Sequence, residues 1–314
     1  MAGYVLRRLI GVIPVLAGLS LLSFLLLHLV PVDPAEAALN LSNPGASEEA
    51  VQALREEMGL HEPILAQYGT WLYKAVQLDF GTSLVSHQPV GQELGQYLPA
   101  TLQLALSALL LLLVMSLPLG ILSAVYKGSW LDRVIQFIVV SAASVPSFWI
   151  GFLLIYLVSM QLNLLPLMGR GDWTHLVLPS STLALAYASP LIRLLRTGIL
   201  EHQHQPYIQA ARLRGISNPK RMGKYVLKSA LPPVITALGI TIGHLLAGTV
   251  IVESVFAWPG VGRYLVESVA NRDYPVIQSY VLLMGTMFIL LNLAADLMCA
   301  ALDPRSRLKE GVLP

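Results

Sequence analysis

His244 is the residue of this chain whose type and position most suggest chemistry, because it lies midway through a long apolar run. An ionisable side chain inside a membrane-length segment is costly and is a functional candidate by default. A neutral imidazole is a ligand for divalent transition metals, although a lone histidine in such a run is more often a helix–helix hydrogen bond than a metal site. We therefore predict that His244 lines a pathway, with a transient metal contact as a second hypothesis.

Four further side chains in apolar runs join His244 as predicted pathway residues. Glu253 is near one end of the same run, where it is solvated at the membrane interface or paired with Arg263, or else attracts cations at a pore mouth. Asn292 is expected to hydrogen-bond neighbouring helices. Met284 and Met287 offer soft contacts for metal or substrate, although apolar packing is the commoner role of methionine.

Several kinds of active site are excluded by the residues that are missing. The chain has no G-x-x-x-x-G-K-[ST] phosphate loop, so any ATP and Mg²⁺ would have to be bound by separate subunits. No nucleophile–base pair or carboxylate pair stands out, and the single Cys299 excludes internal disulfides and multi-cysteine metal clusters. We predict that the chain is not an enzyme, that it carries no cofactor of its own, and that it binds no nucleic acid.

The composition indicates a membrane protein. Of the 314 residues, 55% are hydrophobic and only 12% are charged, about half the charged share of an average soluble domain. The mean hydropathy is +0.66. The sequence predicts an all-α polytopic fold with six transmembrane helices, since runs of about 20 apolar residues recur along it. These spans are Leu9–Val30, Thr101–Val125, about 134–160, Leu176–Ile192 (extended past Arg193), Leu231–Val252 and Val276–Ala295.

The basic residues orient these spans. With the N-terminus inside, 15 of the 20 lysines and arginines fall on inner segments and 5 on outer ones, so both termini are predicted to be cytoplasmic. The first span also resembles a signal peptide, but its apolar run is longer than a signal peptide's usual core, and we interpret it as an anchor. The predicted segments are 1–30 (N-terminal segment and first span), an outer insertion 31–98, a transmembrane core 99–300 and a cytoplasmic tail 301–314.

Two segments are predicted to lie outside the membrane. The outer insertion carries nine acidic residues; Ser47 is expected to cap a helix that runs to about Met58, and Tyr68–Leu78 is expected to form a second helix, stopped by Gly81. The inner loop 198–232, between the fourth and fifth spans, is strongly basic. There Tyr207–Arg214 is expected to form a helix that Gly215 breaks, and Asn218 is expected to cap the next one.

Motifs in this inner loop and elsewhere resemble the permeases of ABC importers of the dipeptide, oligopeptide and nickel family. The loop sequence Gln209-Ala210-Ala211, followed by Gly215 and then Leu231-Pro232, is similar to the family's EAA loop, with Gln in place of the usual Glu. Other family-like segments follow in the expected order along nearly the whole chain: Tyr4–Leu9, Pro31–Pro34, Asp79–Ser83, Leu98–Thr101, Phe256–Arg263, Arg272–Gln278 and Leu302–Arg305.

The resemblance implies a bacterial inner-membrane permease that couples to ATPases through the EAA loop. It would work with a second permease subunit, two cytoplasmic ATPase subunits and a substrate-binding protein, in contact with membrane lipid. The coupling residues that it implies are Tyr207, Gln209, Ala210, Ala211, Arg212 and Gly215. Within the family, the segments Tyr68–Leu72, Leu78–Gly81 and Ala301–Glu310 look most like the nickel permease, and the peptide permeases are the alternative.

A rival interpretation from another class is a secondary transporter driven by an ion gradient. Such proteins usually show inverted repeats and interrupted helices in paired positions. We find no such repeat in the sequence, and the EAA-like loop would have no purpose in that class.

Overall fold

The computed structural model describes residues 2–28, 35–36, 39, 47–57 and 59–302. These residues are nearly all helical, and the only strand-like pairing among them is an isolated antiparallel bridge between Thr82 and Pro89. The predicted motif Pro31–Pro34, the predicted helix end at Met58 and most of the predicted tail 301–314 lie outside the described residues.

The described residues include twelve α-helices and two π-helical sections. The π-helical sections are Ile155–Gln161, which follows α6, and Met222–Leu227, which joins α9 to α10. The α-helices are α1 (Ala2–His28), α2 (Glu48–Glu57), α3 (Ile64–Val76), α4 (Val90–Val125), α5 (Trp130–Ser144), α6 (Ser147–Leu154), α7 (Thr174–His202), α8 (Pro206–Leu213), α9 (Asn218–Arg221), α10 (Lys228–Val255), α11 (Val261–Ala270) and α12 (Tyr274–Leu302).

Four continuous helical stretches in the described residues are long and apolar enough to cross a membrane: Val90–Val125, Thr174–His202, Asn218–Val255 and Tyr274–Ala295. They confirm four of the predicted spans, although the second span belongs to a helix that begins at Val90 rather than near Thr101. A bent helix pair would raise the number to five. The first predicted span corresponds to α1, whose apolar part is the shorter stretch Leu9–Leu25. The count of six and the cytoplasmic termini stay predictions.

The predicted span over about 134–160 corresponds to a bent helix pair rather than to one continuous helix. The chain there forms Trp130–Ser144 and Ser147–Gln161, which meet at an angle of 111°. The residue before a proline is disfavoured in the α conformation, and Val145, which precedes Pro146, is extended with φ −98° and ψ 130°. Pro146 then takes the N-cap position of α6. The run is therefore a broken span or a re-entrant segment.

The helices of the outer insertion are present with shifted bounds. The Ala50 amide donates to Ser47 Oγ at 3.3 Å at the start of α2, which confirms the predicted cap. The second helix begins at Ile64, earlier than predicted, and ends at Val76. Leu78, with a φ of 63°, departs from helical geometry before the predicted stop at Gly81 is reached.

Contacts divide the chain into two compact units. Unit 1 comprises Met1–Thr101 and Pro259–Ile289, and unit 2 comprises Leu102–Trp258 and Leu290–Pro314. The predicted segment boundaries, which follow membrane topology, stay predictions.

Unit 2 is built around α7. Its main core joins leucine, isoleucine, valine and alanine side chains of α4, α7, α8 and α10, and a smaller core packs α5 against α7. Gly239 of α10 lies against α12, because a Cβ atom there would approach the Ala295 Cβ to 2.5 Å. Gly248 similarly accommodates Tyr187 and Leu183 of α7. Glycine thus allows close helix approach at these two positions.

Candidate coupling segment and pathway residues

The predicted coupling segment is the short helix α8 and the turn that follows it. Pro206 occupies the start of α8, after an extended Gln205, and proline suits the first helical turn because its missing N–H would be unpaired there anyway. Ile208 and Ala211 are buried, with exposed fractions of 6% and 5%. Ile208 belongs to the main core of unit 2. One face of α8 is therefore fixed to the core.

A glycine turn ends α8 as the sequence predicts. Gly215 has a φ of 74°, its amide donates to the Arg212 carbonyl at 3.0 Å, and the Ile216 amide donates to the Ala211 carbonyl at 3.2 Å. This pair of hydrogen bonds is the Schellman motif, in which a left-handed residue closes a helix and glycine fits without a Cβ clash.

The helix after the turn begins one residue differently from the prediction. Ser217, rather than Asn218, is the N-cap residue of α9, and Pro219 is in its first turn. Arg221 stabilises this corner, because its guanidinium donates to the Ile216 carbonyl and to Asn218 Oδ1, each at 3.1 Å. The hairpin geometry is therefore held by local hydrogen bonds on both sides of Gly215.

The remaining face of α8 is exposed. Tyr207, Gln209, Ala210 and Arg212 are all accessible, and Leu213 is 89% exposed. The Leu213 side chain therefore makes little contact within the chain. Exposed basic residues flank it: Arg212, Arg214, Lys220 and Lys224. Such donors suit a cleft lined by carboxylates.

His244 lies on an exposed face of α10. Its ring stacks on that of Tyr187 of α7, with centroids 6.3 Å apart and planes 12° apart. Exposed residues recur along this face of α10 at helical spacing: Pro233, Thr236, Ile240, His244, Ala247, Ile251 and Ser254. In the described ranges, no three side chains of the His, Cys, Asp and Glu types come together in a way that could hold a metal ion.

The other predicted pathway residues are less accessible. Glu253 has an exposed fraction of 0%, so the expectation that it meets solvent at an interface or a pore mouth does not hold in this chain. Pairing of Glu253 with Arg263 stays a prediction; Arg263 donates to Glu267 Oε1 at 2.8 Å within α11. Met284, Met287 and Asn292 are half-buried on α12. A pathway role for these four residues stays a prediction.

A buried ion pair in unit 2 is absent from the sequence predictions. Arg196 of α7 binds Asp132 of α5 in a bidentate manner, with Nε–Oδ1 and Nη2–Oδ2 distances of 3.1 and 2.8 Å. Ser123 Oγ and the Gly128 amide also donate to this carboxylate, at 2.6 and 2.9 Å. One carboxylate thus ties together the end of α4, the following turn, α5 and α7. The pattern Ser129-x-x-Asp132 before an apolar run, a capping signature, is the sequence signal that could have drawn attention to Asp132.

The family-like segments of unit 1 interact with one another through buried polar groups. Ser83 Oγ donates to Asp273 Oδ2 at 2.5 Å, and the Leu84 amide donates to Oδ1 of the same carboxylate at 3.2 Å. Thr101 Oγ1 accepts from the Val261 amide at 2.9 Å. These motifs therefore hold the unit together rather than forming a reaction site.

A tyrosine on α11 adds a further contact within unit 1. Tyr264 donates its hydroxyl to Glu93 Oε2 at 2.6 Å, and its ring stacks on Tyr97 with centroids 4.8 Å apart. Burial, together with the Glu93 carboxylate, raises the pKa of the Tyr264 hydroxyl. The hydroxyl therefore keeps its proton and stays a donor at physiological pH.

Comparison with known proteins identifies the class of this membrane protein. Residues 116–308 match the family described as the binding-protein-dependent transport system inner membrane component, and residues 1–105 match its N-terminal domain. The chain belongs to this family of ABC-importer permeases. The family implies a bacterial inner-membrane, multi-pass permease that performs no catalysis itself and works with an ATPase and a substrate-binding protein.

Individual relatives support the same family assignment. The permease is 40% identical to the glutathione transport system permease protein GsiC of Escherichia coli strain K12 over 309 residues, which cover 98% of this chain and 100% of the relative. The corresponding protein of Salmonella choleraesuis is also 40% identical, with the same coverage. Among solved structures, an inward-facing MetNI methionine ABC transporter chain matches 68% of this chain and 97% of its own, with a TM-score of 0.58 and 21% identity, which shows the shared fold.

Proposed function

We propose that this permease is one of two permease subunits of an ATP-driven importer for short peptides of the glutathione kind. The observation that carries the proposal is the 40% identity to glutathione permeases over the full length of those relatives. Nickel, free or chelated, is the second candidate, favoured by the resemblance of Tyr68–Leu72 and Leu78–Gly81 to nickel permeases. The full-length similarity outweighs these short segments.

The exposed face of α10 supports a translocation path beside it. Thr236, His244 and Ser254 give this face a polar character that hydrocarbon disfavours. A second permease subunit that faces α10 across an aqueous path would account for both the exposure and the polarity. In this proposal, His244 contacts the passing substrate from the wall of the path.

The exposed face of α8 supports the coupling role. Leu213 and Ala210 would enter a groove of an ATPase subunit, with the neighbouring arginines at its rim. Two ATPase subunits that close on ATP would move α8, and its anchor at Ile208 would pass the movement to α7 and α10. The spans would then rock from an inward-facing to an outward-facing arrangement, and the binding protein would deliver substrate from outside.

The cargo is tested by uptake in cells that carry or lack this gene. We expect that deletion abolishes the uptake of radiolabelled glutathione or dipeptides and leaves nickel uptake unchanged, and that the gene on a plasmid restores peptide uptake. Loss of nickel uptake with normal peptide uptake would reverse the proposal in favour of nickel. Peptide uptake that persists without any ATPase chain would contradict the ABC mechanism itself.

His244→Leu is expected to lower peptide uptake several-fold while the assembled complex is recovered in normal amounts, because the imidazole is exposed and adds little to the core. His244→Gln keeps a hydrogen-bonding group at the same place and serves as the matched control. If substrate contact needs only a polar group, the glutamine variant retains most of its uptake. Normal uptake in the leucine variant would assign His244 to helix packing instead.

A further inference from the structure

Helix α3 in unit 1 has three distinct faces. One face, which includes Tyr68, Trp71 and Ala75, is buried or half-buried. A second face is apolar and exposed, with exposed fractions of 77% at Leu65, 70% at Tyr73 and 76% at Val76. The third face is polar and consists of Gln67, Thr70 and Lys74, and the C-cap residue Gln77 continues it just beyond the helix. The apolar surface of α3 is thus wider than the face that packs within the chain, which indicates a second apolar contact.

The buried face of α3 packs on the apolar part of α1. Tyr68 Oη lies 2.8 Å from Ser20 Oγ. The Phe24 ring is 5.4 Å from the Tyr68 ring and 5.9 Å from the Trp71 ring, measured between centroids. Ser20 and Phe24 belong to the apolar stretch Leu9–Leu25. Helix α3 therefore contacts α1 within its apolar stretch rather than beyond its end.

The membrane-length helix α12 fixes the depth of this contact. Leu19 fills the space beside Gly285, and Ser23 Oγ donates to the Gln278 carbonyl at 3.3 Å. Gln278 lies in the N-terminal half of the span Tyr274–Ala295, and Gly285 lies at its middle. The section of α1 that carries α3 thus runs beside the N-terminal half of a span, at the level of one leaflet.

We propose that α3 is an interfacial helix whose exposed apolar face lies in the lipid of the leaflet bordering the 31–98 insertion. With 13 residues, it is too short to span a bilayer, and a helix with separate apolar and polar faces lies in the interface plane. Tyrosine and tryptophan favour this depth, and Lys74 on the polar face can reach the headgroups.

The depth of the exposed face is tested with single-cysteine labels on the full chain. Because Cys299 is the only cysteine, the Cys299→Ser background allows Val76→Cys to carry a fluorophore alone, in nanodiscs of phosphatidylethanolamine and phosphatidylglycerol. The matched control is Gln77→Cys, the next residue, on the polar face. We expect a spin label on the upper acyl chain to quench the Val76 label several times more strongly than the Gln77 label, and aqueous iodide to show the reverse order.

Two outcomes would overturn the proposal. If iodide quenches both labels equally and lipid quenches neither, the face lies in water. If neither quencher reaches the Val76 label while iodide reaches Gln77, protein covers the face, as a docking site for a second chain would. Leu65→Cys places the label on the same face at the other end of α3. It repeats the measurement in case a label at Val76 disturbs folding.

Discussion

Replacing Leu213 with aspartate is expected to abolish ATP-driven uptake while the permease stays folded and in the membrane. Leu213 is 89% exposed, so its side chain contributes little to the fold. An acid in the last turn of a helix costs about 0.3–1 kcal/mol, too little to unfold the protein. The same carboxylate, buried without a partner in a protein interface, costs far more.

The expected effect on docking is large because Leu213 projects from a helix whose opposite face is fixed to the core of unit 2. A loss of about 2 kcal/mol, typical of an interface hot spot, would weaken the contact with the ATPase about 30-fold. The measurements are ATP hydrolysis stimulated by the substrate-loaded binding protein, and recovery of the ATPase with tagged permease. Both should fall sharply, and the amount of permease in the membrane should not.

Ser217→Asp is the matched control for Leu213→Asp. It places the same charge in the same hairpin, at the N-cap position of α9, where aspartate is as favourable as serine. We expect normal coupling in this variant. Full ATPase stimulation in Leu213→Asp would show that the exposed face of α8 is not the coupling surface, whereas equal loss in both variants would point to charge in the hairpin rather than to docking.

The hairpin was predictable because each of its features is local. A left-handed glycine closes α8 through bonds to residues three and five positions back, so a short sequence window contains the whole cause. Span positions were predictable for a similar reason, since apolar composition alone determines which stretches can be membrane-length. The bend at Val145-Pro146 also has a local cause, the proline. It was not predicted because the residues on both sides of it are apolar, so composition alone reads them as one continuous run.

The long-range polar contacts were not predictable from the same sequence. Ser83 and Asp273 are 190 residues apart, and Asp132 and Arg196 are 64 residues apart; nothing in the local pattern pairs them. From the sequence, Arg196 is only one of the 15 basic residues that fall on predicted inner segments. Motif segments likewise reveal family membership, but the polar bonds that join them appear only once the fold brings the segments together.

Replacing Arg196 with methionine is expected to be among the most destabilising single changes in unit 2. The substitution leaves the Asp132 carboxylate, with a side chain only 7% exposed, without its cationic partner. Breaking a buried pair by removing one member costs about 3–5 kcal/mol, because a buried charge is left uncompensated. The remaining donors, Ser123 and the Gly128 amide, offset only part of this cost.

The double variant Asp132→Leu/Arg196→Met separates stability from function. Replacing both members of a buried pair with apolar residues of similar size is often neutral or stabilising, so we expect the double variant to recover most of the loss. The measurement is the thermal unfolding of the purified complex in nanodiscs. A double variant that is as unstable as Arg196→Met alone would contradict the assignment of the cost to an unpaired charge.

Uptake by the stability-rescued double variant then shows what the pair contributes beyond folding. Arg196 lies on α7, which precedes the proposed coupling helix α8, and Asp132 lies on α5, the first arm of the bent helix pair. The bidentate geometry resists sliding of these two helices past each other, because it fixes the orientation of the guanidinium as well as its distance. We therefore expect the double variant to hydrolyse ATP but to transport less substrate per ATP, since apolar packing permits sliding that two parallel hydrogen bonds resist. Uptake per ATP equal to that of the unmodified importer would limit the pair to a structural role.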